Sequence, residues 1–589
     1  MLQLFADNQP LDISGVKFNI TLKNPMFDKD KFEGSYIFNL KLPLTSRNKK
    51  IFGFPGRLEK YSANQSNDFS YRALFNGTQI IDNAIISVIY QHNNYTTNVK
   101  VTSGSFINRL KDMSLKNLDL GGNRTIGSAP FIPINHYNNT LTKEYPDSDY
   151  VYFPIYNLNF YDNTDVENDY KNNIQFINFY YNNTFQPGSP DSTGGTFCAF
   201  PYLAYILDQI FKAGNVNINK NPFFSNTELR RLVIYNNHSL TATTSAPNPN
   251  PPYNWFYFPK AHHRLNLINQ VPDYNILDLL NDLKIFGISY FFNNTLGTLD
   301  IMFLKDILHS TDYIDLTNVI DYKKIDLTKN DGYKLSYDFR EPYSNKYIKD
   351  FEDVNLKEPV QALSDLPEAE DTEINEVRYV IDVDKYYIFK YYSGTQTGVW
   401  HLFSYNFLDK VLDGDNIFEI HSNTSPLMVR GIKDFVSGIG NRQLLCPIVE
   451  QIGSNPFFIN NDGYIHNNSF DSHLLFYRGL QHDSLNASYP LGSNDVYDYG
   501  GNKISNANIS LKFDGDYGLY NNFWSDYFNW ILNITTKVIL KKLFSPIEIN
   551  QFDFSKKYRH NGIDYLIKSI KIPVTEKAIL PATMECYKV

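Results

Sequence analysis

Hydrophobic and polar residues alternate along much of the first 120 positions, as they do in half-buried β-strands. Residues 35–42 predict one such strand, which Pro43 ends. Its apolar face consists of Tyr36, Phe38, Leu40 and Leu42. Further strands are predicted at 81–90 and 98–107, with a weak amphipathic helix at 106–118. The first part of the chain is therefore expected to be a β domain.

Two later segments have the apolar spacing of amphipathic helices. In 201–213 apolar residues recur every three or four positions, and Gly214 suits a left-handed residue at the helix end. A second helix is predicted at 275–286. It leads into a hairpin over 288–304 that turns at Gly297. This order predicts a compact α+β unit.

Three regions have little periodicity. Residues 120–195 are rich in Asn, Tyr, Pro and Gly, which predicts long loops with short strands that serve binding or assembly. The Pro-rich run 241–254 is typical of a surface loop or linker. Residues 352–376 are acidic and are interpreted as a solvated inter-domain segment, because their spacing does not match a calcium-binding loop. After this segment, 377–392 predicts two strands that meet near Asp384 and Lys385.

The last 115 residues give the clearest pattern. Residues 519–532 predict a helix with an almost entirely aromatic face. That face consists of Tyr520, Phe523, Trp524, Tyr527, Phe528 and Ile531. Strands follow at 536–540 and 564–571. The Asn561-Gly562 pair predicts a hairpin over 558–573.

A chain of 589 residues is too long for one hydrophobic core, so several domains are expected. The patterns together predict a β-rich, multidomain α+β protein. We place an N-terminal β domain at 1–130, a loop-rich α+β region at 131–345, a second β domain at 346–475 and a C-terminal α+β segment at 476–589.

Composition narrows the functional classes. Aromatic residues make up 16% of the chain, and about one residue in nine is Asn. Both features favour short strands joined by turns, although the coding bias of an AT-rich genome enriches the same residues whatever the fold. The net charge of −9 disfavours a general nucleic-acid coat. Hydrophobic residues at 42% exclude disorder of the whole chain.

Cysteine usage indicates a protein made in a reducing compartment. Hydropathy predicts neither a secretory signal nor a membrane span. Cys198, Cys446 and Cys586 are far apart, so neither a disulfide framework nor a metal site is expected. The opening residues reach Asp7 before an apolar segment could form, which argues against a secretory signal. The longest apolar run, 84–90, is far shorter than a membrane span.

No catalytic motif is present. The sequence lacks the motifs of zinc proteases, serine hydrolases, phosphate-binding loops and dinucleotide-binding folds. His262 and His263 are adjacent, so on a strand they would point to opposite faces. We therefore predict no catalytic, cofactor-binding or metal-ligating residues. A glycoside hydrolase needs only two facing carboxylates, and a sequence alone does not exclude such a pair.

Two features allow either a structural or a binding role. The aromatic face of 519–532 is either the buried side of a helix or a platform on which sugars or bases stack. The basic residues Arg47, Lys49 and Lys50 are either a solvated turn or a nucleic-acid contact. In both cases the structural interpretation is favoured.

Several segments resemble structural proteins of phages that infect Bacteroidetes. They are YIFNLKLPLTSRNKKIFGFPGRLE, PYLAYILDQIFKAGNVNI with the later LRRLVIYNN, YNILDLLNDLKIFGISYFFNNTLGTLDIMFLKDIL, and LKFDGDYGLYNNFWSDYFNWI with KKYRHNGIDYLIKSIKI. More specifically, the helix, the hairpin and the closing strands are similar to the tail-associated baseplate hub proteins of phage tails. The resemblance covers most of the chain but includes no fixed catalytic motif.

The resemblance implies a virion protein made in the host cytoplasm. Such a hub is a homotrimer, and each subunit contributes two tube-like β-barrel domains. It joins the six-fold tail tube, or a distal tail protein, to a three-fold tip or spike, with DNA only as cargo in the channel. The N-terminal β region and the residues after about 377 would supply the two tube-like domains. A negatively charged wall would let DNA slide past.

A second function stays open from sequence alone. An aromatic-rich β protein is compatible with a tail fibre-like protein that binds or cleaves host glycans. Its binding would then depend on Trp255, Trp400, Trp524 or Trp530. No peptidase or lysozyme module is expected after the closing strands, so we expect a structural protein and not an enzyme.

Overall fold

The computed structural model describes most of the chain, with gaps. The described residues are 1–27, 37–53, 68–91, 94–100, 103–127, 134–157, 176–186, 197–235, 241–247, 255–261, 263–293, 297–327, 331–338, 355–374, 376–383, 385–391, 398–403, 409–433, 442–449, 458–459, 465–466 and 472–589. Within them the fold is a β-rich, multidomain α+β fold with two half-barrel sheets, as the sequence predicts.

The N-terminal sheet has six strands in the described residues. Their spatial order is Gln9–Pro10, Leu2–Ala6, Asp68–Phe75, Thr78–Gln91, Asn94–Lys100 and Ile37–Pro43. Leu40 and Leu42 are buried while Lys41 between them is exposed, which is the predicted alternation. Residues 35–36 lie outside the described residues.

The C-terminal sheet draws on distant parts of the chain. Its path, in spatial order, is Tyr313–Asp315, Lys557–His560, Ile563–Thr575, Ala582–Lys588, Thr536–Lys542 and Val319–Asp326. Lys17–Lys23 also pairs with Ile563–Thr575, antiparallel, from Lys17 opposite Thr575 to Lys23 opposite Ser569. Residues from both ends of the numbering thus share one sheet, whose strands come from 17–23, 313–326 and 536–588.

The C-terminal sheet is rolled. Tyr313–Asp315 and Val319–Asp326 lie at opposite ends of its path, five strand-to-strand gaps apart. At about 4.8 Å a gap, a flat sheet would separate them by roughly 24 Å. The chain from Asp315 to Val319 can span at most about 14 Å. The sheet must therefore curl until its two edges approach each other.

Two buried lysines of the C-terminal strands form hydrogen bonds to the chain between residues 308 and 317, next to this connection. Lys557 Nζ donates to the Leu308 carbonyl oxygen at 2.6 Å, and Lys542 Nζ donates to the Thr317 carbonyl oxygen at 2.6 Å. Lys542 also forms an ion pair with Glu548 at 2.8 Å. A buried ammonium needs such partners, since leaving it unpaired would be costly.

An eight-stranded sheet is the largest in the described residues, and we call it the central sheet. Its strands in spatial order are Phe176–Ile177, Ile155–Asn157, Gln443–Val449, Val429–Lys433, Gly398–Phe403, Lys385–Tyr391, Glu376–Val380 and Asn355–Leu356. The two strands predicted near Asp384 and Lys385 are its members Glu376–Val380 and Lys385–Tyr391; Asp384 itself lies outside the described residues.

Smaller sheets complete the described strands. The larger ones combine Leu232–Ile234, His473–His482, Ser425–Pro426 and Ser488–Ser493; Asn217–Lys220, Thr298–Phe303 and Ile288–Asn293; and Lys410–Leu412, Gly332–Tyr337 and Ile417–Ser422. The pairs are Tyr180–Tyr181 with Thr184–Phe185, Phe200–Pro201 with Tyr150–Val151, Thr241–Pro247 with Trp255–Ala261, Arg264–Asn266 with Asn123–Thr125, and Phe458–Ile459 with Ile465–His466.

Helices are short and lie between the sheets. The described α-helices are Ser46–Ile51, Ser103–Leu110, Ile134–Asn139, Leu203–Ala213, Pro222–Ser225, Ile276–Asp282, Leu304–His309, Ser525–Leu532 and Pro546–Asn550. A π-helical turn, Tyr520–Trp524, precedes Ser525–Leu532. Single 3₁₀ turns are Pro25–Phe27, Leu115–Asn117, Leu229–Arg231, Leu267–Gln270, Leu283–Phe286, Leu363–Asp365, Ala369–Asp371 and Ile381–Val383.

The main periodic predictions coincide with observed elements. Leu203–Ala213 lies within the predicted helix 201–213, and its apolar face is buried. Ile276–Asp282 with Leu283–Phe286 fills 275–286, and Asn275 caps it by accepting from the Leu277 backbone N–H at 2.8 Å. The hairpin of Ile288–Asn293 and Thr298–Phe303 follows. Its turn residue Gly297 has φ 63°.

The C-terminal predictions coincide with observed elements too. The helical residues Tyr520–Trp524 and Ser525–Leu532 fill 519–532. Lys557–His560 and Ile563–Thr575 form the hairpin, and both residues of its Asn561-Gly562 turn have positive φ, 50° and 76°. Such a turn matches the twist of the flanking strands.

Four local predictions are wrong. The strand predicted at 98–107 ends at Lys100, and Ser103–Leu110 is a helix that buries Phe106 and Leu110, four positions apart, on one face. The linker predicted at 241–254 begins as a strand, Thr241–Pro247; residues 248–254 lie outside the described residues.

The other two errors concern a turn and a glycine. The turn predicted around Arg47 is the helix Ser46–Ile51, because Thr45 caps it and the buried Asn48 amide donates to the Asp12 and Pro43 carbonyls. Gly214 has φ −70°, and Asn215 takes the left-handed position with φ 52°.

Candidate interaction surfaces

The structure places the predicted aromatic face inside the fold. Phe523, Trp524, Tyr527 and Phe528 are all buried. The Trp524 indole donates to the Ile285 carbonyl oxygen at 2.7 Å, and its ring stacks on Phe528 at 4.9 Å between centroids. The helix is therefore packed in the core, and its aromatic face is not available to stack sugars or bases.

Two of the other tryptophans also use their N–H groups within the chain. Trp400 donates to the Pro367 carbonyl oxygen at 2.9 Å, and Trp530 donates to the Lys588 carbonyl oxygen at 2.9 Å. Trp255 lies on the strand Trp255–Ala261, but its side chain is outside what the structure describes. The tryptophans suggested for glycan binding are, where described, structural.

The basic residues near position 47 belong to a capped helix. Arg47 forms an ion pair with Asp12 at 3.3 Å, and Lys49 and Lys50 lie in the last turn, where they complement the helix dipole. This arrangement is a solvated helix end. It agrees with the structural interpretation of these residues.

Part of the loop-rich region 120–195 is core where the structure describes it. Tyr137, Tyr152, Phe185 and Phe197 are fully buried and pack as one aromatic cluster. Tyr137 and Phe197 stack at 4.6 Å, and Tyr137 contacts Tyr152 at 4.7 Å. These side chains are therefore part of the interior of the chain, while others of the same region, such as Asn139 and Asn182, are exposed.

The described residues contain neither a candidate metal-binding cluster nor an exposed cysteine. Within the described ranges, no group of three or more His, Cys, Asp or Glu side chains could hold a metal ion. Cys198, Cys446 and Cys586 are buried, and burial raises the pKa of the Cys198 and Cys586 thiols above the ordinary value. His262 lies outside the described residues, so the His262–His263 pair stays a sequence observation.

No helix in the described part of the chain is both long and apolar enough to cross a membrane.

The edge strand Val319–Asp326 is exposed along almost its whole length. It pairs with Thr536–Lys542 on one side and, in the described residues, ends the sheet on the other. Ile320 is 54% exposed and Tyr322 is 66% exposed, so apolar side chains are presented beside a free backbone edge. A free edge with apolar neighbours is a template for another strand, and soluble proteins normally cover it.

One face of the C-terminal sheet is rich in lysine, and we call it the lysine face. Cross-strand partners share a face, which gives two adjacent rows. The first row is Thr21, Lys571, Thr583, Lys541 and Asp321, and the second is Lys23, Ser569, Glu585, Ile539 and Lys323. Lys17, Lys537 and Lys568 extend this face. On the opposite face of the inner strands, Ile20, Ile570 and Met584 are buried.

The lysines of this face outnumber its carboxylates. Lys541 pairs with Asp321 at 3.0 Å, while Lys537 and Lys568 share Glu585, each at 3.4 Å. The strands hold the ammonium groups on a fixed scaffold. In a chain of net charge −9, this face is a local basic surface.

The acidic segment, residues 355–374, forms a surface of opposite sign. Its exposed carboxylates are Glu358, Asp365, Glu368, Glu370, Asp371 and Glu373. Leu356, Leu363 and Ile374 are 50%, 46% and 59% exposed among them. The segment contains the edge strand Asn355–Leu356 of the central sheet, so it is part of the folded structure and more than a solvated linker.

The described surface also has two concave features of note. A groove of about 870 Å³ runs along the edge strand Asn217–Lys220 and the helix Leu203–Ala213. A smaller cavity of about 210 Å³ is lined by four tyrosines together with Asp514 and Asp516. The tyrosines are Tyr379, Tyr386, Tyr497 and Tyr517. Tyr379 and Tyr386 contact each other at 5.0 Å.

Sequence reasoning missed the lysine face because its strands come from three separate regions of the chain. A local signal existed. KFNITLK at 17–23 and TKVILKK at 536–542 both alternate apolar residues with Lys or polar residues. Such an alternation predicts a strand whose solvent face is basic, but only the pairing shows that these strands are neighbours.

Comparison with solved structures gives a distant likeness to a phage tail protein. No protein-family model matches the sequence, and no curated protein is similar to it. Among solved structures, the chain is similar to a crystal structure of the 43 kDa tail protein of prophage MuSo2 from Shewanella oneidensis. The two chains are 10% identical, the match covers 99% of this chain and 95% of that chain, and the TM-score is 0.31. A TM-score this low does not establish a shared fold.

Proposed function

We propose that the chain is a structural protein of a phage tail, and within the tail a baseplate hub. The observation that carries the proposal is the edge strand Val319–Asp326. It is eight residues long, exposed on both faces, and carries Ile320 and Tyr322 beside a free backbone edge. Such a strand is stabilised when another chain covers it.

The surface chemistry supports an assembly role over catalysis. Three of the four tryptophans are bound to backbone carbonyls, the aromatic helix is core, and the described residues contain no candidate metal cluster. The surface instead carries a basic sheet face and an acidic segment. Surfaces of this kind set the register and orientation of protein partners.

The proposed hub is a homotrimer in the virion, made in the host cytoplasm. Its partners are the tail tube or a distal tail protein on one side and the tail tip or spike on the other, with DNA passing through as cargo. The rolled C-terminal sheet is a candidate for one tube-like domain, and the N-terminal sheet is a candidate for the other. The segment resemblances in the sequence are the reason for choosing the hub among tail proteins.

Two measurements test this proposal. Electron microscopy of the purified chain, or of the virion at its position, is expected to show three-fold symmetry beneath a six-fold tube. If the chain stays monomeric both alone and in the presence of tail-tube protein, the proposal is contradicted. Catalytic release of fragments from peptidoglycan or host polysaccharide would contradict a purely structural role.

A variant of the edge strand gives a sharper test. Ile320→Lys adds a third lysine to a strand that already carries Lys323 and Lys324. Charged side chains on an edge strand oppose the addition of another strand. We expect this variant to fold but to lose assembly. Leu480→Lys is the matched control, because Leu480 is 42% exposed and lies on the strand His473–His482.

The small tyrosine-lined cavity favours a second candidate function, glycan binding. Tyrosine rings stack on sugar faces, and carboxylates accept hydrogen bonds from sugar hydroxyls. Its 210 Å³ volume suits about one sugar ring. Asp514 is already bound to Lys410 at 2.6 Å, and Lys503 lies over the Tyr517 ring at 4.6 Å.

A glycan array with the wild type and Tyr517→Ala tests this function. Binding that Tyr517→Ala abolishes, while Trp530→Phe retains it, would support glycan recognition at this cavity. An array without hits would remove the candidate and leave the hub proposal unchanged.

A further inference from the structure

The reverse side of the sheet behind the lysine face is buried, so the lysine side chains must point to solvent. Ile570, Ile572 and Met584 on the reverse side are fully buried. Side chains alternate along a strand, so their neighbours Lys571 and Thr583 must point outward. Lys17, Lys323 and Lys541 are exposed on the same outward face. A face with fixed charges of one sign is suited to a partner of opposite sign.

Apolar side chains lie among the lysines of this face. Ile325 of the edge strand Val319–Asp326 lies opposite Lys537, and Ile539 lies between Lys323 and Glu585 in the second row. Tyr322 lies opposite Leu540 and therefore belongs to the reverse side. Phosphate groups of nucleic acid gain nothing from apolar neighbours, whereas protein interfaces combine apolar and charged contacts. The mixture therefore favours a protein partner over DNA.

The acidic segment has the complementary composition. Its carboxylates are exposed, and Leu356, Leu363 and Ile374 among them are each close to half exposed or more. It also borders an edge of the central sheet, through Asn355–Leu356. Among its carboxylates, Glu373 forms an ion pair with Lys357 of the same segment at 3.4 Å.

We propose that the lysine face of one copy of this chain docks the acidic segment of a second copy. The contact is heterologous, because different surfaces meet, and repetition of such a contact closes a ring when the rotation allows it. The proposal rests on the proposed function, which requires a homo-oligomer, and it names the two surfaces that form the subunit interface.

A charge-swap experiment tests the contact in the full-length chain. The lysine-face variant is Lys17→Glu, Lys323→Glu and Lys571→Glu, and the acidic-segment variant is Glu368→Lys, Glu370→Lys and Asp371→Lys. Each variant is expected to weaken self-association about tenfold or more, because like charges then face each other. The combined variant is expected to regain association. Analytical ultracentrifugation measures the association constants, and circular dichroism checks the fold.

The matched control is Lys49→Glu, Lys50→Glu and Lys111→Glu, which changes the net charge equally away from the lysine face. It is expected to associate like the wild type. Raising the salt concentration is expected to weaken the wild-type contact, because exposed charges are screened.

The outcomes separate the contact from the function. If the wild type assembles and the single swaps assemble equally well, or the combined variant does not recover, the contact is overturned and the hub stands. If the wild type stays monomeric at every soluble concentration, both are overturned. If the lysine-face variant loses binding to a fluorescent double-stranded DNA while its self-association is unchanged, the face binds nucleic acid and the contact is overturned.

Discussion

At the scale of single residues, the chain contains buried charges whose partners come from distant segments. Arg478 and Glu228 form an ion pair at 2.6 Å, and their side chains are 2% and 8% exposed. Arg478 also donates to the carbonyls of Asp495 and Ile509, and Glu228 accepts from the Asn508 and Ile509 backbone N–H groups. The pair thus joins the segment around 228 to the residues before the aromatic helix.

Removal of one member of this pair should be strongly destabilising. Glu228→Gln leaves the Arg478 guanidinium buried without its counter-charge, which is expected to cost about 3–5 kcal/mol of the free energy of unfolding. Urea unfolding measures the loss. Asp321→Asn, in the exposed Asp321–Lys541 pair, is the control and should leave the free energy of unfolding nearly unchanged, because solvent screens this pair. Equal losses in the two variants would contradict the prediction.

Asp282 makes stability depend on pH. It is buried and accepts hydrogen bonds from Tyr274 and Thr424, both at 2.7 Å. Burial raises the pKa of Asp282 above its ordinary value, although these hydrogen bonds lower it in part. The folded state therefore binds this proton more tightly than the unfolded state does. The resulting stability is fully present below the ordinary pKa and is lost as the pH rises through the raised one.

The variant Asp282→Asn isolates this effect. The free energy of unfolding of the wild type minus that of the variant should fall from about pH 4 upward and then become constant. Urea unfolding at a series of pH values measures this difference. If the difference in unfolding free energy between the wild type and Asp282→Asn does not vary with pH, the prediction is contradicted.

At the scale of elements, close backbone approach determines how the helix Leu203–Ala213 ends. A Cβ atom on Gly214 would lie 2.4 Å from the Phe106 ring, and Phe106 also packs against Phe211 and Phe292. Gly214→Ala must push this ring out of place, which is expected to cost about 1–3 kcal/mol. Thermal unfolding measures the cost.

The neighbouring residue provides the control for this variant. Asn215 has φ 52°, which glycine adopts without strain, so Asn215→Gly should change stability by less than about 1 kcal/mol. If Gly214→Ala is as harmless as Asn215→Gly, the helix end tolerates a Cβ and the explanation for Gly214 fails.

Elements with a strong local pattern could be predicted from the sequence, and contacts between distant segments could not. The helix at 203–213 follows from apolar spacing, and the Asn561-Gly562 turn follows from the left-handed conformations of these two residues. Gly214 was misassigned because its function depends on Phe106, more than 100 residues away in sequence. The helix at 46–51 was missed because its capping and its buried Asn48 depend on Pro43 and Asp12.

The candidate surfaces were even less accessible to sequence reasoning. The alternation in 17–23 and 536–542 predicts that each is a strand with a basic face. The joining of these strands to Lys571 requires the register of the whole C-terminal sheet. The exposure of Ile320 and Tyr322 also depends on tertiary structure, because the same alternating residues would be buried in a central strand.

At the scale of the whole molecule, the two half-barrel sheets are physically joined. Lys17–Lys23 pairs with Ile563–Thr575, the Leu2 backbone N–H donates to the Glu576 carbonyl at 2.9 Å, and the Asn24 amide donates to the Ile567 carbonyl at 2.8 Å. Ile20 is 1% exposed in this junction. The stability of the C-terminal sheet should therefore depend on residues of the N-terminal segment.

The variant Ile20→Asp tests this dependence. A buried unpaired carboxylate should open the junction, so that the amides of Ile563–Thr575 lose protection in hydrogen exchange. Amides of Val429–Lys433 in the central sheet should keep theirs. Thr21→Asp, which places the same group on the outward face, is the control. Unchanged exchange of Ile563–Thr575 in Ile20→Asp would contradict the coupling.

The pairing of Lys17–Lys23 with Ser569–Thr575 also sets the timing of folding during synthesis. About 550 residues must be translated before the strand meets its partner, which takes roughly half a minute to two minutes at about 5–20 residues per second. Until then the apolar residues Phe18, Ile20 and Leu22 have no sheet to join and are available to chaperones or to the wrong strand. The C-terminal sheet therefore forms only after its strand Ala582–Lys588 has been translated, and a ribosome that stalls before that point leaves the strands already made without their partners.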